Sequence, residues 1–229
     1  AMERGPEVGG QVLKQLLEAA LNGVSALPGA KAVAAKHLQR SLGRRIDAAT
    51  PASEYKDAVD VAIDTLVAAH VSLAAAQGLA TNLGGIVTAI VGLPANLAAV
   101  AVVQIRLIAA IAHLRGYDID DLRVRTALTF CLMGESGVKR LVESGALPTT
   151  PVGLATAPVF DSTLDAQVTA AVFAELLSRI GGRRAAILII RRIPLVGGGV
   201  SGAMDGWSTH SIGEYAREQF PARRHLTRG

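Results

Sequence analysis

The sequence predicts an all-α fold: a single-domain helical bundle of about seven to nine helices around a long uncharged central helical hairpin. Three observations predict it. Only 3% of residues are aromatic although half are hydrophobic, so Ala, Leu, Val and Gly carry the apolar load, and Ala favours helix where strands draw on β-branched and aromatic side chains. Apolar residues recur at helical spacing in one segment after another. Finally, no Asp, Glu, Lys or Arg occurs from Thr65 to Ile105, and a helix that is apolar all round must be buried in protein or in lipid. The chain's 229 residues suit one large domain.

Taken in order, Val8 to Val24 places Val12, Leu16, Leu17, Ala20 and Val24 on one face and ends near Asn22-Gly23. Pro28-Gly29 opens a second helix through Leu42, closed by Gly43. Thr50-Pro51 reads as an N-cap with Pro at the first helical position. The helix that it starts, over 52–76, carries Tyr55, Val59, Ile63, Leu66, His70 and Leu73 on one face and Asp57, Asp60 and Asp64 on another. Gly84-Gly85 and Gly92-Leu93-Pro94 interrupt the uncharged run before a central helix over Ala95–Arg115. Gly116 suits the left-handed position that ends it. Asp118 is the expected cap of the next helix, with Asp121 as its box-like partner, and that helix is expected to run to about Glu143. Residues 144–162 hold three prolines and read as a loop. A helix over Thr163–Ile180 is expected to break at Gly181-Gly182. A basic apolar segment, Arg183–Ile193, and a Gly-rich stretch lead to a last helix through Phe220. The divisions are N-terminal helices at 1–49 packing on the core, a helical domain at 50–220 and a basic tail at 221–229.

The net charge of +4, from 23 Lys and Arg against 19 Asp and Glu, is too small to indicate nucleic-acid binding without interleaved aromatics. The Arg pairs at 44–45, 183–184, 191–192 and 223–224 suit an anionic surface. Cys131 is the one cysteine, which removes a disulfide framework and a cysteine-based zinc site. No metal or cofactor is expected. The first ten residues contain charges and no apolar segment, so a cytoplasmic, peripherally membrane-associated location is expected. The stretch over 83–105 approaches the ~20 apolar residues of a membrane span. Its glycines, Pro94, Asn96 and Gln104 favour a buried hairpin or shallow insertion over a simple crossing.

Several ordered pieces resemble the EcsC family of bacterial proteins: Gly84-Gly85, Gly92-Leu93-Pro94-Ala95, Ile105-Arg106, Ile111-Ala112-His113, Gly116-Tyr117-Asp118, and Asp121 with Arg123 and Arg125. The similarity resumes at Ile193-Pro194-Leu195-Val196-Gly197 with Gly198-Gly199, then Ile212-Gly213, Ala216 and Phe220. It spans roughly residues 50–220. The resemblance implies an all-helical domain linked to membranes or to membrane-protein operons, and it carries over no catalytic residue.

Arg106 and His113 are seven residues apart on one face of the central helix, amid Ala99, Val102, Val103, Ala109 and Ala110. A buried guanidinium needs an anionic or polar partner. Either an internal carboxylate pairs with Arg106, or Arg106 reads the anionic head of an amphiphile. Asp121, Arg125, Leu128, Leu132, Glu135 and Lys139 fall on one stripe of the following helix, where Asp121–Arg125 and Glu135–Lys139 make surface pairs. The alternative turns Glu135 inward for acid–base work, with Arg123 reaching the same opening. Asp57, Asp60 and Asp64 read as a solvated face rather than a cation site. Gly197-x-Gly199-x-x-Gly202 satisfies a dinucleotide fingerprint only formally, since no strand precedes it. The four-residue recurrence of Gly198, Gly202 and Gly206 suits close helix packing. Asp205 and His210 lie beyond it as pocket candidates.

The expected ligand-binding residues are therefore Arg106, His113, Arg123, Arg125, Glu135, Asp205 and His210. The expected membrane-surface residues are Arg183, Arg184, Arg191 and Arg192, on an apolar segment suited to an anionic lipid surface. The function they suggest is binding of a lipid or other amphiphile in a cavity between the 52–76, 95–115 and 119–143 helices. The alternatives are a hydrolase acting on a membrane-derived substrate, through Glu135, His113 or His210, and a scaffold docking on a membrane transporter.

Overall fold

The structure, a computed structural model, describes residues 4–24, 27–43, 52–76, 93–190 and 199–223, with the backbone alone at 4–7, 52–54, 180–190 and 199–201. Helix α1 (Arg4–Asn22) ends at Gly23, whose φ of 86° turns the chain into a two-residue antiparallel pairing of β1 (Gly23–Val24) with β2 (Leu27–Pro28). Helix α2 (Ala30–Leu42) closes on Gly43 in the left-handed region, as its sequence predicts. Helix α3 (Ala52–Ala75) buries Val59, Ile63, Leu66 and His70 along the expected face. Its acidic face is not wholly solvated, because Asp60 meets Arg115 at 2.8 Å and Asp64 meets Arg217 at 2.6 Å.

Helix α4 (Ala95–Leu114) is the axis of the fold, in contact with α1, α2 and α3 and with two later helices. Every residue from Leu97 to Ala112 is buried. Small Ala side chains at 98, 99, 101, 109, 110 and 112 let several neighbours approach one helix closely. The structure ends α4 with two bonds, Gly116 N–H to His113 and Tyr117 N–H to Ala112, which close a left-handed cap. By length and apolarity α3 and α4 each match a membrane span, yet α4 is almost wholly buried within the protein. The connecting part of the uncharged hairpin, 77–92, lies outside the described residues.

Three element boundaries differ from expectation. Asp118 does not cap the next helix: its carboxylate accepts from Asp120 N–H in the connecting turn, and Asp121 caps α5 (Leu122–Cys131) by accepting from Arg123 N–H at 2.8 Å. The helix expected to reach Glu143 is broken at Gly134 (φ 71°), which starts α6 (Gly134–Glu143) in a new direction. Short α7 (Pro151–Ala155) follows within the proline-containing loop. Helix α8 (Ser162–Ile190), capped by the Asp161 carboxylate, runs straight through Gly181-Gly182. Each Gly costs about 1 kcal/mol relative to Ala, too little to stop a helix with good helix formers on both sides.

Helix α9 (Gly199–Gln219) completes the bundle, and Phe220 packs edge-on to Tyr117 with Arg223 over the same ring. Its glycines meet α3 as the four-residue spacing predicts; Gly198 lies outside the described residues. A Cβ at Gly202 would stand 2.6 Å from the Ala75 carbonyl oxygen, whereas at Gly206 the nearest atom is the Ala75 Cβ at 3.3 Å. Gly202→Ala is therefore expected to destabilise the protein by about 1–3 kcal/mol. At Gly206→Ala the gain in helix propensity offsets most of the crowding. Urea unfolding of the two variants checks the contrast.

Candidate functional site

Arg106 is only 4% exposed. Its Nε donates to His70 Nε2 at 3.0 Å and its Nη1 to the Pro28 carbonyl at 3.3 Å. His70 in turn donates from Nδ1 to the Leu66 carbonyl at 2.8 Å, which leaves Nε2 bare to accept from the guanidinium. Both partners of Arg106 are thus neutral. The internal carboxylate pair, one of the two sequence readings, is not found among the described residues, and Glu135 is exposed in the first turn of α6 instead. Burial, reinforced by the Arg106 charge, pushes His70 down to about 3, and burial alone lowers Arg106 to about 10. His37, whose Nδ1 lies 3.0 Å from Thr65 Oγ1, is lowered by burial and then by Arg40, Lys36 and Arg106.

The other candidates sit apart from this centre. His113 is half-buried in the last turn of α4, lowered by burial and by Lys31 while Asp118 and Asp120 oppose that shift. Arg123 grips Asp121 through Nε and Nη2 and donates from Nη1 to the Ala157 and Pro158 carbonyls. That grip holds the Asp121 carboxyl down to about 2. Arg125 pairs with Glu18 at 2.8 Å, not with Asp121, and Lys139 pairs with Glu143, not with Glu135. The stripe from Asp121 to Lys139 assumed one continuous helix, which Gly134 interrupts. Asp205 is buried one turn before Thr209, which Gln104 approaches at 3.2 Å, while His210 is exposed. Among the described residues no hydrogen bond joins His113, Glu135 and His210 to one another. Burial pushes the Cys131 thiol well above its usual range, which makes it inert. Arg183 and Arg184 lie on the C-terminal part of α8, where only the backbone is described; Arg191 and Arg192 lie outside the described residues.

A groove of about 410 Å³ opens between α1, α5 and α8. Leu13, Leu17, Leu122, Phe160, Ala166 and Ala170 make it apolar, and Lys14, Arg125 and Asp165 bring charge to it. Thr126 donates to Asp165 at 2.5 Å, and Lys14 has no ion pair among the described residues. Of the expected ligand-binding residues only Arg125 lines it, and of the three helices expected to enclose a cavity only the 119–143 region contributes. Sequence reasoning missed Lys14 and Asp165 because their helices are brought to α5 by long-range packing. His70 carries a signal of its own in the sequence: a histidine in one apolar stripe and an arginine in another each need a polar partner.

A family model described as the EcsC protein family matches residues 11–224. The matched span takes in the larger part of α1 and all of α2 as well as the region over which the sequence motifs occur. Comparison with curated proteins and with solved structures finds no match.

Proposed function

The chain belongs to the EcsC protein family, and on that premise we propose that it is a peripheral membrane protein which holds a lipid or another amphiphile in the α1–α5–α8 groove. The observation that carries this reading is an apolar floor with Lys14, which has no ion pair among the described residues, at its rim beside Arg125 and Asp165. Such a surface suits a molecule with an apolar tail and an anionic head: burying the tail supplies non-directional affinity, and the cations orient the head. The volume falls in the ~300–1,000 Å³ range of small-molecule sites. Arg106 is not part of this groove, so the head-group role falls chiefly to Lys14, with Arg125 already engaged by Glu18.

Protein purified without detergent should release a bound amphiphile on organic extraction, detected by mass spectrometry. Filling the groove with Ala166→Phe and Thr169→Leu should remove it while leaving the helical circular dichroism unchanged. Lys14→Glu should weaken binding of an anionic fluorescent fatty acid by about tenfold, the effect of one lost charge-assisted contact. A lipid-free extract together with no binding of that probe would sink the proposal.

A further inference from the structure

We infer that the head group taken by the α1–α5–α8 groove is a zwitterion, a phosphate diester that carries a primary ammonium, on a single acyl chain. The inference rests on the amphiphile-binding reading above and names the head that the groove selects.

Both signs of charge reach the groove, from different walls. A Cβ at Gly10 would lie 4.0 Å from the Thr169 side chain and one at Gly9 would meet the Phe173 ring, so α1 and α8 pack antiparallel. Lys14 stands one turn onward from Gly10, and Asp165 one turn back from Thr169, which brings the two to about the same height. Both line the groove, yet no ion pair joins them. The surrounding charges are already engaged: Arg125 by Glu18, Arg123 by Asp121 and Lys31 by Asp120. Among the described residues, Lys14 and Asp165 are thus a cation and an anion of one groove that no opposite charge answers.

Asp165 is half-buried and held in place by Thr126, which is only 4% exposed and donates its hydroxyl to Oδ1 at 2.5 Å. An ionised carboxylate accepts about four hydrogen bonds, so these oxygens keep capacity for donors inside the groove. A purely anionic head seated on Lys14 would be repelled by this carboxylate, whereas a head with an ammonium beside its phosphate satisfies both walls. A primary ammonium brings N–H donors. A quaternary ammonium brings none and is recognised by aromatic cages, and Phe160 is the single aromatic side chain among the described residues that line the groove. Leu13, Leu17 and Ala170 remain for the tail, and a volume of about 410 Å³ suits one chain rather than two.

Three lysophospholipids that share one acyl chain, titrated below their micelle concentrations by calorimetry, test the head group. Lysophosphatidylethanolamine should bind about tenfold tighter than lysophosphatidylcholine or lysophosphatidic acid, as expected for one added charge-assisted contact. Asp165→Asn keeps an acceptor for Thr126; it should weaken the ethanolamine lipid about tenfold and leave the choline lipid unchanged. Lys14→Gln should weaken all three alike, because the phosphate is common to them. If the unaltered protein does not prefer the ethanolamine lipid, or if Asp165→Asn weakens the choline lipid equally, the zwitterion is wrong and the amphiphile reading stands. Absence of binding by all three overturns both.

Discussion

Replacing His70 by Leu is expected to lower stability by about 2–4 kcal/mol, because it strips a buried cation of its main acceptor while leaving the charge in place. Arg106 Nε would face an apolar side chain, with the Pro28 carbonyl as its remaining partner. Arg106→Met removes the charge and keeps most of the volume. Its cost is the two acceptors left without a donor, offset by the end of guanidinium desolvation, so the net change should stay within about 1 kcal/mol. Combining the two changes should then restore most of what His70→Leu loses, giving a coupling of about 2 kcal/mol or more in a double-mutant cycle. Additive behaviour in urea unfolding would mean that the Arg106–His70 contact does not hold this part of the core together.

Acidification is the second large effect. His70 has a folded-state value of about 3 against an ordinary 6.5, because burial and the Arg106 charge both oppose its protonation. The unfolded chain takes up a proton as pH falls through 6.5 and the folded chain does not, so the stability present above 6.5 is lost progressively toward 3. The slope from this group is about 1.4 kcal/mol per pH unit, or nearly 3 kcal/mol by pH 4.5. His37 and His113, both lowered, add loss of the same sign. Asp121, held down to about 2, contributes stability that is lost only as pH falls below the ordinary carboxylate range. Histidines therefore dominate between pH 6.5 and 4.5. His70→Gln keeps an acceptor for Arg106 and cannot titrate. Its stability, followed by urea unfolding across that interval, should fall less steeply by the His70 share, and an unchanged slope would refute the assignment.

Residues acting on their immediate neighbours were legible before any coordinates. Gly43 and Gly116 end helices because a left-handed cap is cheap for glycine, and the stripe from Val59 to His70 is buried because its spacing leaves it one face. The misread positions depend on competition between local options. Asp118 and Asp121 are both competent caps, and the turn consumed the first. Gly134 interrupts a helix where Gly181-Gly182 does not: strong helix formers flank the latter, whereas the weaker Thr129, Phe130 and Cys131 precede the former. The candidate site was the least legible part. Arg125 is paired by Glu18, 107 residues away in sequence, and the groove is enclosed by helices from both halves of the chain.

The amino-acid sequence by itself determined the helical class, the apolar axis, the glycine caps and the family pattern, since these follow from periodicity and backbone conformation within a few residues. Only the tertiary structure decided that Arg106 rests on a neutral histidine and that the groove lies between α1, α5 and α8. Those outcomes depend on which helix faces are brought together, and packing selects among surfaces far apart in the chain by their combined fit.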